Sequence, residues 1–68
     1  MTPLSSSNLA GADYDGATRV LTIEFTNGAV YEYEGVPAEV FADLLGSSSP
    51  GSYFYRQIKG RFPYQRVT

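Results

Sequence analysis

Apolar and polar residues alternate through two short runs near the middle of the chain. From Arg19 to Phe25, Leu21, Ile23 and Phe25 fall on one side, and Val20, Thr22 and Glu24 on the other. From Ala29 to Glu34, Ala29, Tyr31 and Tyr33 oppose Val30, Glu32 and Glu34. Period-two alternation predicts half-buried strands, and Asn27-Gly28 between them predicts a hairpin turn. The alternation also selects the register. A two-residue loop would pair Phe25 with Val30 and place Glu32 and Glu34 beside Leu21 and Ile23. A three-residue loop, Thr26-Asn27-Gly28, pairs Phe25 with Ala29, Ile23 with Tyr31 and Leu21 with Tyr33, so the large apolar side chains share a face. A slip of one residue inverts a whole strand, and exposing three large apolar side chains costs roughly 1.5–3 kcal/mol each. The three-residue loop is therefore predicted, a type I turn with Gly28 in the left-handed conformation.

The flanking segments carry weaker signals. Asn8 to Tyr14 reads as a strand in which a bulge near Gly11 lets Leu9, Ala12 and Tyr14 reach one face. Asp15-Gly16-Ala17-Thr18 is a turn. Val36-Pro37 ends the sheet; Pro37 suits the first position of a helix, with Glu39 in the first turn and Val40, Phe41, Leu44 and Leu45 as one apolar stripe. Gly46 is expected to end this helix as a left-handed cap. At about eight residues the helix is too short to persist alone and must pack on the sheet. After the serine-rich loop, Ser49 or Ser52 is expected to cap a second short helix running from Tyr53 to Lys59. Phe54 and Ile58 would face inward, Tyr55, Arg56 and Lys59 outward, and Gly60 would close it. Pro63 holds Phe62 extended, so Arg61 to Val67 is expected to form a short edge strand. The fold class is α+β: a three-stranded antiparallel meander packed on one face by two short helices, with that C-terminal edge strand. Residues 1–6 are expected to be disordered and residues 7–68 to form a single domain.

Composition narrows the chemistry. With 68 residues the chain buries a small core. It has no cysteine and no histidine, so neither a disulfide nor a zinc site of the usual kind is available as a staple. Ten aromatic residues, six Tyr and four Phe, carry the packing. No run approaches the roughly 18 apolar residues of a membrane span, and the opening residues lack the blocks of a signal peptide; a cytoplasmic location is the expectation. All seven acids lie in the first 43 residues beside one base, Arg19, whereas the last 25 hold Arg56, Lys59, Arg61 and Arg66 and no acid. The net charge of −2 therefore divides into −6 and +4. Two arrangements fit this division: a basic segment laid along an acidic sheet face, or a basic binding surface.

No enzyme is expected. The usual general bases and thiol nucleophiles are missing, and the serine-rich Gly46–Gly51 loop lacks the Lys-Ser/Thr that follows a phosphate-binding loop. No cofactor and no metal is implied. The register places Tyr31 and Tyr33 in the core, the commonest use of such residues; a base-stacking role would need part of their face to stay uncovered. The C-terminal stretch interleaves Tyr55 and Tyr64 with Arg56, Lys59, Arg61 and Arg66, and these six are the candidate site residues. Aromatic rings beside cations are the ingredients of single-stranded nucleic-acid or nucleotide binding; completion of the core by the rings, with solvated cations, is the competing reading.

The ordered set of residues resembles the KTSC domain, named for the C-terminus of some lysyl-tRNA synthetases and found also as stand-alone bacterial or phage proteins. The matching residues are Tyr14-Asp15, Leu21, Ile23, Phe25, Gly28, Val30-Tyr31-Glu32-Tyr33, Gly35-Val36-Pro37, Phe41, Leu44-Leu45, Gly51, Tyr53-Phe54, Ile58, Pro63-Tyr64 and Arg66-Val67. They span nearly everything from Ser7 onward. Tyr55 departs from the pattern, where the family often carries Asn. The resemblance implies RNA binding, by association with the synthetase, and puts Tyr31 and Tyr33 in the family's central motif. Three functions are expected in order: a module for RNA, single-stranded nucleic acid or a nucleotide; a protein-interaction or oligomerisation domain, as in a phage or bacterial regulator; and sequestration of a small signalling nucleotide.

Overall fold

The turn at Asn27-Gly28 sets the frame. In the computed structural model, which describes residues 1–68, the Phe25 N–H donates to the Ala29 carbonyl (2.8 Å) and the Gly28 N–H to the Phe25 carbonyl (2.9 Å). Gly28 sits at φ +93°, a region glycine enters without steric cost. Asn27 Oδ1 accepts from the Ala29 N–H at 3.0 Å. The loop thus has three residues, and Leu21 pairs with Tyr33 and Ile23 with Tyr31, as the alternation demands.

Five strands run antiparallel in chain order: β1 (Thr2–Pro3), β2 (Leu9–Asp15), β3 (Val20–Phe25), β4 (Val30–Tyr33) and β5 (Tyr64–Arg66). Leu9 pairs with Phe25 but Gly11 with Glu24, so Ala10 is the extra residue of a bulge. The bulge restores the alternation on the inner face: Leu9 and Ala12 are both buried there. Asp15 Oδ1 accepts from the N–H groups of Ala17 (2.9 Å) and Thr18 (3.3 Å) and closes the turn into β3.

Several local details differ from expectation. Residues 1–6, expected to be disordered, include β1, in which Thr2 pairs with Ala12 and Pro3 with Gly11. Ser6 Oγ accepts from the N–H groups of Asn8 and Leu9, both at 3.2 Å, which turns the chain back. Gly11 has no Cβ, and one would lie 3.1 Å from the Thr2 carbonyl oxygen, so β1 can close on β2. Gly46 is not a left-handed cap. It lies inside α1 (Ala38–Gly46), and Ser47 leaves in an extended conformation (φ −73°, ψ 139°) with its N–H donated to the Leu44 carbonyl. Gly46 itself is not at positive φ. Pro37 stands one position earlier than predicted, as the N-cap. The second helix, α2 (Pro50–Gln57), begins earlier too, with Ser49 as N-cap and Pro50 in its first turn. It also ends earlier, at Gln57 with Ile58 as C-cap; Gly60, expected to close it, lies two residues beyond that cap at φ +79°.

Both helices cover the face that carries Leu21, Ile23 and Tyr33. Leu44 of α1 and Phe54 of α2 enter the core there, with Val36 and Ile58. Tyr14 joins the layers: its ring stacks on Phe41 of α1 at 5.2 Å, and its hydroxyl donates to the Val36 carbonyl at 2.6 Å. No helix covers the opposite face, where Asp13, Thr22, Glu32 and Gln65 form a row across β2 to β5. No helix is long and apolar enough to cross a membrane.

Candidate functional site

The last strand decides which side the basic tail serves. Tyr33 pairs with Tyr64 and Tyr31 with Arg66. Directly paired residues share a face, so Tyr64 and Arg66 join the tyrosines beneath the helices. Gln65 turns to the acidic face, where its amide lies 3.5 Å from Glu32 Oε1. Arg66 lies on the face opposite the acidic row.

Phe54 packs edge-on against Tyr33 (5.5 Å) and Phe25 (5.6 Å). Beyond it, α2 and Gly60 stand apart from the outer end of β4 and β5, leaving a cleft of about 470 Å³. Tyr31, Tyr33 and Tyr64 form its floor. The Tyr64 ring lies 5.6 Å from each of the other two, and those two lie 6.4 Å apart. Tyr55, Lys59 and Arg66 stand around it. The rings differ in how much they show. Tyr33 is 4% exposed, whereas Tyr55 and Tyr64 are 51% and 59% exposed. Lys59 Nζ, in the turn after α2, rests 4.7 Å above the Tyr55 ring, an attraction that positions both side chains.

Burial raises the Tyr33 phenol from its ordinary 10.0 to about 12, and neighbouring Tyr31, Tyr64 and Tyr55 would add repulsion to its anion. No buried side-chain polar atom is without a partner, and Tyr33 lines the cleft. No carboxylate lines the cleft. The arrangement therefore offers flat aromatic faces, phenol hydroxyls and two cations: surfaces for stacking and for anions.

Four of the six predicted site residues, Tyr55, Lys59, Tyr64 and Arg66, come together in this cleft. Arg56 lies one position round the helix and lines a different depression. Arg61, in the turn beyond α2, folds back on that helix instead. Its Nε donates to the Arg56 carbonyl at 2.9 Å, capping the last turn of α2, where cations meet exposed carbonyls and the negative end of the helix dipole. Tyr33 is core; Tyr31 is half-buried and belongs to both core and cleft. Phe25, Asn27 and Ala29 also line the cleft and are not among the residues predicted for it. Their signal is present in the hairpin register, which puts Phe25 and Ala29 on the tyrosine face, but it becomes useful only once β5 is known to extend that face.

Residues 5–62 match the KTSC domain. A protein of Tsukamurella paurometabola is 45% identical over 62 residues, covering 91% of this chain and 92% of its own length. The lysine–tRNA ligase of Trichormus variabilis is 44% identical over 55 residues, which is 81% of this chain but 10% of the ligase; the chain thus spans about a tenth of such an enzyme. The crystal structure of a KTSC domain protein from Yersinia pestis superimposes with a TM-score of 0.92 at 34% identity, covering 98% of this chain and 94% of that one. Its helices and antiparallel sheet are the same α+β arrangement, so sequence and architecture agree that this chain belongs to the KTSC domain family.

Proposed function

We propose that the chain is a non-enzymatic binding module that holds an unpaired base of RNA or another single-stranded nucleic acid in the cleft between α2 and β5. The observation that carries this reading is the meeting of two half-exposed tyrosines, Tyr55 and Tyr64, with Lys59 and Arg66 around one acid-free cleft. Exposed rings stack on bases with little sequence preference, and adjacent cations attract the backbone. Lysine–tRNA ligases, whose names tie them to an RNA, carry a related segment, which supports an RNA over a small-molecule partner.

Fluorescence anisotropy with labelled single-stranded RNA at several salt concentrations tests it. Each neutralised phosphate contributes about −0.7 to the log–log salt slope, so Lys59 and Arg66 together account for about −1.4. Replacing both with Gln removes that part of the slope. Tyr64→Ala costs about 1–3 kcal/mol if one base stacks there. Absence of binding at low salt, or an unchanged affinity after Lys59 and Arg66 are neutralised, would sink the proposal.

A further inference from the structure

The aromatic cleft has a neighbour. A second cleft, of about 540 Å³, opens on the other side of Tyr55, between the turn at Ser5–Asn8 and the start of α2. Six of its eleven lining residues are serines, and Arg56 is its only charged group. The chain has seven acids, and three of them (Asp13, Asp15 and Glu32) line a third cleft that reaches the uncovered sheet face. Neither cleft that touches Tyr55 has any.

The second cleft is built from parts distant in sequence. Gly51 allows the N-terminal turn to approach: a Cβ there would lie 3.0 Å from Ser6 Oγ. Ser6 Oγ is engaged by the Asn8 and Leu9 N–H groups, which fixes one wall. Ser49 donates its hydroxyl hydrogen to Ser52 Oγ at 3.1 Å, which leaves the hydrogen of Ser52 to donate elsewhere. The outcome is a hydroxyl-lined, singly cationic hollow, suited to phosphate oxygens and ill suited to bases. Tyr55 is its common wall with the aromatic cleft. Lys59 stands on that ring's aromatic-cleft side and Arg56 on the serine side.

We propose that the two clefts are one composite site for a single-stranded oligonucleotide. A base lies in the aromatic cleft, the chain passes over Tyr55, and the next phosphodiester sits among the serine hydroxyls beside Arg56. This rests on the reading of the aromatic cleft as a base-binding site. It adds that the minimal ligand contains an internucleotide phosphate, so that a mononucleotide occupies half the site.

The test is a titration of the full chain by ¹⁵N–¹H NMR with uridine 5′-monophosphate and with a uridine tetranucleotide, for the wild type, Arg56→Gln and Ser52→Ala. Arg56 and Ser52 are both exposed, and the spectra themselves report whether each variant stays folded. Both ligands should shift amides around the aromatic cleft, such as Gly60. The tetranucleotide alone should shift Gly51 and Ser52 and should bind about tenfold tighter, the effect of one hydrogen-bonded charge contact. Arg56→Gln should erase that advantage while leaving the mononucleotide affinity in place, and Ser52→Ala should reduce it. Equal affinities for the two ligands, or an advantage that survives Arg56→Gln, overturns the composite site and leaves the base site standing. If neither ligand shifts the Gly60 region, the base-binding reading falls and the composite site falls with it.

Discussion

Raising the pH through the tyrosine range should destabilise the fold through Tyr33 in particular. Its phenol has a pKa near 10.0 in the unfolded chain and about 12 in the folded one, so between those values the folded state holds the proton that the unfolded state has released. A proton bound only by the folded state makes stability fall as pH rises. The contribution is fully present below about pH 10, is lost between about pH 10 and pH 12, and amounts to roughly 3 kcal/mol for a shift of this size. By about pH 11.5 roughly 2 kcal/mol of it is gone, a large part of the roughly 3–10 kcal/mol that holds a domain of this size together. Tyr33→Phe isolates the effect. The ring and its contacts with Phe54 and Tyr64 remain, so the variant should match the wild type near neutral pH. Urea unfolding of both proteins at about pH 9 and about pH 11.5 gives the comparison; the wild type should lose about 2 kcal/mol more than the variant over that interval. Parallel losses in the two proteins would refute the reasoning, because they would place the alkaline transition on other groups.

Tyr14→Phe removes the 2.6 Å hydrogen bond to the Val36 carbonyl but keeps the stack on Phe41; it should cost about 0.5–1.5 kcal/mol, read as a lower urea midpoint at unchanged slope. Two glycines should respond in opposite directions. Gly28→Ala forces a side chain into φ +93° and should cost about 1 kcal/mol or more. Gly46→Ala meets nothing within 4 Å at a helical position and should gain roughly 0.4–1 kcal/mol. A loss at Gly46 in the same melts would restore the left-handed cap expected from its place after the apolar stripe.

The parts legible in the sequence are those in which burial leaves one solution. The register of Leu21 and Ile23 against Tyr33 and Tyr31 follows from the alternation, and the bulge beside Gly11 from the need to bring Leu9 and Ala12 to one face. Phe54 and Ile58 could be placed because a two-turn helix has only one apolar side. The missed features are contacts between small or polar groups distant in sequence, which leave no periodic trace. The closure of β1 depends on a bare α-carbon at Gly11, and the wall of the serine cleft on another at Gly51. The Tyr14 hydroxyl finds a carbonyl 22 residues away, and Arg61, read as a ligand-seeking cation, spends its guanidinium on the end of α2.

The candidate site itself lies between these cases. That aromatic rings and cations interleave after Ser52 is visible in the sequence, but whether they act together depends on the register of a three-residue strand. A slip of one residue in β5 would put Gln65 on the tyrosine face and turn both Tyr64 and Arg66 onto the acidic one, dismantling the cleft while leaving the core intact. Burial cannot prevent that slip, since all three residues are exposed. Hydrogen bonds at both ends of the strand do so instead. The Glu34 N–H donates to the Pro63 carbonyl at 2.8 Å before the strand, and beyond it the Val67 N–H donates to the Val30 carbonyl at 2.7 Å and the Val30 N–H to the Thr68 carbonyl at 2.9 Å. Proline lacks an N–H, so residue 63 can only accept; it sits where acceptance alone is needed and holds the residue before it extended. The binding surface proposed for this domain is therefore positioned by backbone pairing at the ends of β5, and that surface should be lost before the fold is.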